Sequence, residues 1–321
     1  MLVARRAALA LLIGPALSGP ALAQDKVRVA VTAIVEHPAL DAARDGLKEE
    51  LAAAGYVDGQ ALAFIYESAQ GNPATAAQIA RKFVGERPDV IVPISTPSAQ
   101  AVVGATKEIP VVFTAVTDPV GAKLVADPEH PGGNVTGMSD LSPIGKHLDL
   151  VKEIMPAAKT LGVIYNPGEA NSLTLLQLLK AEAPARGLAI EEAPAPKSAD
   201  VLPAAQSLVG NVDAIYVPTD NTVVTALEAI VQVGTQNKLP VFAGDTDSVP
   251  RGAIAALGFN YGDVGRQTGK IVVRVLKGER PGDIPVEGVE ITELFVNPGA
   301  AEAMGVTLPE AVVARAKTVV R

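Results

Sequence analysis

Val90-Ile-Val-Pro-Ile-Ser-Thr96 opens a unit that the chain writes twice. A stretch of helix length follows, and then Lys107-Glu-Ile-Pro-Val-Val-Phe-Thr-Ala-Val-Thr-Asp-Pro-Val120. In the other half, Ala214-Ile-Tyr-Val-Pro-Thr-Asp220 leads through a similar stretch to Lys238-Leu-Pro-Val-Phe-Ala-Gly-Asp-Thr-Asp-Ser-Val249. Each copy runs strand, proline, hydroxyl or acid, helix, Pro-Val strand, Thr-Asp-x-Val. A chance likeness between two βαβ units is the simpler alternative. The shared proline and Thr-Asp positions favour two related lobes.

The surrounding sequence keeps the same rhythm. Short β-branched runs at Val27–Thr32, Phe64–Tyr66, Leu161–Tyr165, Ile190 and Ile254–Phe259 alternate with amphipathic stretches. In Pro38–Ala54, Leu40, Leu47 and Leu51 share one helical face. Pro73–Val84, Ser172–Ala183, Thr222–Val233 and Asp263–Leu276 read the same way, and Pro184 ends the third of these. Strand–helix alternation implies parallel βαβ units with helices on both faces. Aromatic residues make up 3% of the chain and Trp is absent, so Val, Ile, Leu and Ala must fill the core, as suits strands buried on both sides. The fold class expected is α/β, two Rossmann-like lobes joined by a hinge. Asn134–Ser139 would carry the chain across, Gly258–Tyr261 would return it, and the tail after Val286 would cross again. Lobe one is then 26–138 plus 261–290, and lobe two 139–260 plus 291–321.

Residues 1–23 read as a signal peptide: Arg5 and Arg6, an apolar run from Ala7 to Leu17, then Ala21-Leu22-Ala23. That run falls short of the roughly 20 apolar residues of a membrane span. With no cysteine there is no disulfide, thiolate metal site, catalytic Cys or lipid-modified Cys, so a soluble periplasmic protein, not a lipoprotein, is expected. The formal charge of −8 becomes about −10 without Arg5 and Arg6, which argues against nucleic acid as a partner.

Enzymatic readings lack parts. His37, His130 and His147 have no zinc-binding spacing, and no nucleophile elbow, phosphate loop or dinucleotide fingerprint is present. No metal and no cofactor are expected. An acid–base pair such as Glu169 with Asp220 is the one enzymatic arrangement worth weighing. Ligands of open α/β sheets bind beyond the carboxyl ends of the strands, where this chain places its polar residues. Ser95-Thr96 and Asn171-Ser172 are cap-like helix starts suited to a carboxylate. Thr114 and Asn221 lie in the same set of loops. Asp118, Asp220, Asp245 and Asp247 are candidate acceptors for an ammonium group, any two sufficing. Asp220 reads equally well as a plain cap, and Asp118 and Asp247 as turn residues. His37 fits a helix start better than a ligand contact. Tyr261 is a better candidate for a flat wall than Tyr165 or the mid-strand Tyr216.

Glu36-His-Pro-Ala-Leu-Asp41, Ser95-Thr-Pro-Ser-Ala-Gln-Ala101, Pro110–Val120 and Asn134-Val-Thr-Gly-Met-Ser-Asp140 resemble segments of the tryptophan/tyrosine-type ABC transporter substrate-binding proteins. So do Gly162-Val-Ile-Tyr-Asn-Pro-Gly-Glu-Ala-Asn-Ser172 and Val217-Pro-Thr-Asp-Asn-Thr-Val223. The likeness runs from about Val27 to the C-terminus. It implies the type I periplasmic-binding-protein fold with three crossovers, and a cleft for an aromatic or other amino acid. The matching polar positions are Ser95, Thr96, Asn171, Ser172, Asp220 and Asn221, followed by Asp245 and Tyr261. A monomeric, non-enzymatic receptor handing a small molecule to an ABC permease is the function expected. A ligand-sensing subunit of a signalling system, or a sugar receptor of the same fold, are the alternatives.

Overall fold

The computed structural model describes residues 26–289 and 291–320, so the expected signal peptide lies outside the described residues. Strands β1 (Val27–Ala33), β2 (Leu62–Ser68), β3 (Val90–Ile94), β4 (Val111–Val116) and β5 (Val135–Ser139) come first. β6 (Thr160–Tyr165), β7 (Ala189–Pro194), β8 (Ala214–Val217), β9 (Val241–Ala243) and β10 (Ala255–Gly258) follow. The chain ends with β11 (Glu287–Gly288), β12 (Glu293–Val296) and β13 (Thr318–Val319).

These strands form two sheets, ordered β11-β5-β4-β3-β1-β2 and β13-β12-β10-β9-β8-β6-β7. The order β2-β1-β3-β4-β5 of the first returns as β7-β6-β8-β9-β10 in the second. The sequence echo is therefore an echo of topology. Register agrees: Val29 faces Val90 across β1 and β3, and Leu161 faces Ala214 across β6 and β8. All these pairs are parallel. β12 instead lies antiparallel on β10, pairing Ala255 with Val296, outside the expected parallel βαβ units.

The apolar content of the strands explains their central place. Val29 to Ala33 and Val90 to Ile94 are buried throughout, on both faces of the sheet. One face of the first sheet packs on the helices Pro38–Ala53 and Tyr261–Leu276, the other on Pro73–Glu86 and Thr96–Ala105. The helix expected over Thr222–Val233 breaks at Ala226 into Asn221–Thr225 and Leu227–Asn237. Thr225 Oγ1 donates back to the Asn221 carbonyl at 2.7 Å, and a Thr- and Val-rich first turn is a poor helix former.

Two helices of the first lobe touch backbone to backbone. A methyl group at Gly265 would lie 2.0 Å from the Ala43 carbonyl oxygen, and one at Gly46 2.1 Å from that of Gly262. Glycine at these positions lets the two helices, which begin at Pro38 and Tyr261, close up. Thr268 Oγ1 then donates to Thr114 Oγ1 at 2.7 Å, pinning the second helix to β4.

Candidate functional site

Both switch points of the doubly wound order, between β1 and β3 and between β6 and β8, deliver residues to one cavity. His37, Ala39 and Leu40 follow β1, while Ser95 and Thr96 follow β3. Ala115 and Thr117 come from the end of β4 and Asp140 from the end of β5. The second sheet supplies Asn171, Thr219, Asn221, Val224 and Asp245, and Tyr261 closes the ring. A wider cleft, lined by Gln70, Asn72 and Pro97 on one side and Asn166, Lys197 and Thr222 on the other, shares Asn221 with the cavity.

Backbone strain marks the cavity wall. Ser95 has φ 75° and ψ 160°, a region that only glycine occupies freely, and Ala115 has φ 53°. Ser95 is held there by its N–H, which donates to the Thr114 carbonyl at 2.9 Å. Ala115 sits in the register shift between β4 and β5, where the irregularity turns it toward the cavity.

The cavity collects polar atoms that the protein leaves unpaired. His37 Nδ1, Ser95 Oγ, Thr96 Oγ1, Asn171 Oδ1 and Thr219 Oγ1 are all buried without a hydrogen-bond partner. Buried polar groups are almost always paired, and each orphan costs about 1–3 kcal/mol. Five of them around one space make it the candidate site for a polar ligand.

Two carboxylates also face it. Asp140 accepts from Tyr261 Oη at 2.8 Å and from Thr117 Oγ1 at 3.2 Å. Asp245 accepts from Ser248 N at 2.9 Å and Ser248 Oγ at 2.6 Å. Burial pushes both carboxyl groups up, while these hydrogen bonds pull the other way. Burial, and then the charge of Arg251, draw the His37 imidazole down to about 4, so it is neutral at pH 7. Among the described residues, no Lys or Arg lines the cavity.

Behind the second wall lies a scaffold of two more acids. Asp220 accepts from Asn166 N at 2.5 Å, Ser172 Oγ at 2.6 Å and Val223 N at 2.9 Å. Burial, and next the neighbouring Glu169, push its carboxyl upward. Glu169 accepts from Asn221 N at 3.2 Å and Thr222 N at 3.1 Å, capping a helix that is not its own.

Of the residues predicted from sequence, Ser95, Thr96, Asn171, Asn221, Asp245 and Tyr261 line the cavity. Thr114, Asp118, Ser172 and Asp220 do not. Thr114 is used by Thr268. Asp118 accepts from Gly121 N at 2.8 Å and, across the two lobes, from Thr174 Oγ1 at 3.4 Å. Ser172 and Asp220 spend their polar atoms on each other and on nearby backbone, so Asp220 is the cap and brace of its alternative reading. Tyr216 is core, its hydroxyl 2.6 Å from His147 Nδ1, and Tyr165 pairs with Glu192 at 3.2 Å. Sequence reasoning weighed His37 and favoured a helix start over a ligand contact, and it did not single out Thr117, Asp140 or Thr219 as site residues. The available signal for Asp140 was its place directly after a crossover strand.

The family model for ABC transporter substrate binding protein matches residues 28–320. The chain belongs to this family. A tyrosine-binding protein of Clostridioides difficile (strain R20291) is 42% identical over 276 residues, 86% of this chain and 80% of that one. A solved ABC domain from Streptococcus pneumonia in complex with L-Trp is 35% identical with TM-score 0.89, covering 92% of this chain and 100% of that one. A ligand-free, open substrate-binding protein with adhesive properties from Clostridium difficile is 40% identical with TM-score 0.70, covering 92% and 99%. This substrate-binding protein thus has the type I periplasmic-binding-protein fold, and its relatives include binders of tryptophan and tyrosine.

Proposed function

We propose that this protein is the solute receptor of an ABC importer and that it captures an aromatic amino acid between its lobes. The observation that carries this is the set of unpaired buried polar atoms gathered around a cavity lined by two carboxylates and, among the described residues, by no Lys or Arg. The ammonium group meets Asp140 and Asp245. The carboxylate meets the hydroxyls of Ser95 and Thr96 at the N-terminus of the helix Thr96–Ala105, whose free N–H groups favour an anion. Leu40, Val224 and Tyr261 take the side chain. Among the described residues Tyr261 is the only Phe, Tyr or Trp in the lining, which disfavours a sugar stacked between rings.

Lobe one is residues 26–138 with 261–290, and lobe two residues 139–260 with 291–321. The chain resembles the L-Trp complex in shape more than the open protein, despite lower identity to the former. Together with the Asp118–Thr174 contact, this supports a closed form, reached by hinge bending when ligand binds. The closed receptor works in the periplasm as a monomer, presents its ligand to a membrane permease and performs no catalysis.

Calorimetric titration of residues 24–321, stripped of bound ligand by unfolding and refolding, tests this. L-Tryptophan or L-tyrosine should bind at about micromolar concentration, near −8 kcal/mol. Binding of glucose or galactose without either amino acid would overturn the reading.

A further inference from the structure

Glu169 touches no part of the inner cavity, yet the two asparagines that do are tethered to it. Its Oε2 accepts from Asn171 Nδ2 at 3.2 Å and from Asn221 Nδ2 at 2.5 Å. Asn171 Nδ2 gives its other hydrogen to the Thr219 carbonyl at 3.1 Å. Both hydrogens of that amide are consumed, and its Oδ1 stays buried and unpaired. Turning the Asn171 amide over would set Oδ1 against the Glu169 carboxylate and the Thr219 carbonyl, two acceptors at hydrogen-bonding distance. Turning Asn221 over would set an oxygen 2.5 Å from a carboxylate oxygen. Glu169 is itself locked by Thr222 Oγ1 at 2.7 Å and Asn166 Nδ2 at 3.3 Å.

We propose that Glu169 is a positioning residue for ligand recognition, resting on the amino-acid reading above. By taking an N–H from each amide, it leaves the carbonyl oxygen of Asn171 as what that side chain offers the cavity, while the Asn221 side chain also hydrogen-bonds the His37 ring. The second-lobe wall thereby reads donors on the ligand, the ammonium or the ring N–H, and repels acceptors.

Glu169→Gln tests the assignment, because its amide can satisfy a flipped asparagine. L-Tryptophan, indole-3-propionate (no ammonium) and 1-methyltryptophan (no ring N–H) are titrated into wild type and variant. An acceptor lost to the ligand costs about tenfold in affinity, so preference for tryptophan over at least one analogue should fall by about that factor. Equal weakening of all three, or no change, would overturn the proposal while leaving the receptor reading intact. Should the variant fail to fold, side-chain amide hydrogen exchange in ligand-free wild type decides instead. Protected Asn171 Nδ2 protons are expected, and rapid exchange that slows only with L-tryptophan would overturn the assignment. That measurement stands even if no aromatic amino acid binds, the outcome that would sink the receptor reading alone.

Discussion

Tyr261 Oη donates a 2.8 Å hydrogen bond to Asp140 Oδ2, joining residues 121 positions apart at two places where the chain passes between the sheets. Asp140 closes β5 and Tyr261 opens the helix after β10, so the bond ties two crossings together beside the cavity. Burial raises the Asp140 carboxyl, and Tyr261 is a main source of its compensation. Tyr261→Phe leaves that oxygen without its donor and should lower unfolding free energy by about 1–3 kcal/mol in urea titrations. Asp140→Asn keeps the shape and removes the charge. Amino-acid affinity should then fall by about 2–5 kcal/mol, the usual cost of truncating one partner of a buried charge pair. Unchanged calorimetric affinity in Asp140→Asn would remove this residue from the ammonium site.

Ser95 sets stability against binding. Its backbone sits in a glycine region, a strain of about 1–3 kcal/mol. Its hydroxyl is unpaired in the cavity. Ser95→Gly relieves the strain, less about 0.5–1 kcal/mol for the flexibility glycine adds to the unfolded chain, and deletes the hydroxyl. The melting temperature of the ligand-free variant should hold or rise while affinity for the amino acid falls about tenfold. A variant that binds as well as wild type would show that the strain serves something other than the ligand.

The repeat was legible because it rests on features that survive in one dimension: prolines before strands, β-branched runs and Thr-Asp turns. The short strands β11 to β13 were not, since they lie outside the repeated unit that marks β8 and β9, strands equally short. The site was legible to the level of loops rather than side chains. Asp118 and Asp140 both follow strands, and only coordinates show Asp118 folded back on Gly121 while Asp140 faces the cavity. Asp220 and Ser172 looked like ligand groups because a brace and a binding residue use the same chemistry. Which of the two a side chain is depends on whether another part of the fold has already taken its hydrogen bonds.

The glycine contact between the first-lobe helices positions the mouth of the site, since one helix begins beside His37 and the other at Tyr261. Gly265→Ala would force Cβ to within 2.0 Å of the Ala43 carbonyl oxygen, so the helices must part. Overpacking of this kind costs about 1–3 kcal/mol or more, and amino-acid affinity should fall as the two helix starts move apart. Gly85→Ala is the matched control: it lies in the helix Pro73–Glu86 with nothing within 4 Å of the added carbon. That change should stabilise by up to about 1 kcal/mol and leave binding untouched. Equal melting temperatures for the two variants would refute the steric argument.

Asp247 gives the stability a pH dependence of predictable sign. Burial first, and then the neighbouring Asp245, raise its carboxyl from 3.8 to about 6, against the pull of Arg251. Between those values the folded protein holds a proton that the unfolded chain has released. Its contribution is therefore full below about pH 3.8, shrinks as pH rises and is lost above about pH 6. Asp247→Asn cannot ionise and escapes this loss. His37, drawn down to about 4, slopes the other way over an overlapping range, so the difference between wild type and variant is the quantity to follow. Urea unfolding from about pH 4 to pH 7 should show wild type losing ground to Asp247→Asn as pH rises, with the gap constant above about pH 6. Parallel curves across the whole range would mean that Asp247 ionises in the folded protein as freely as in the unfolded chain.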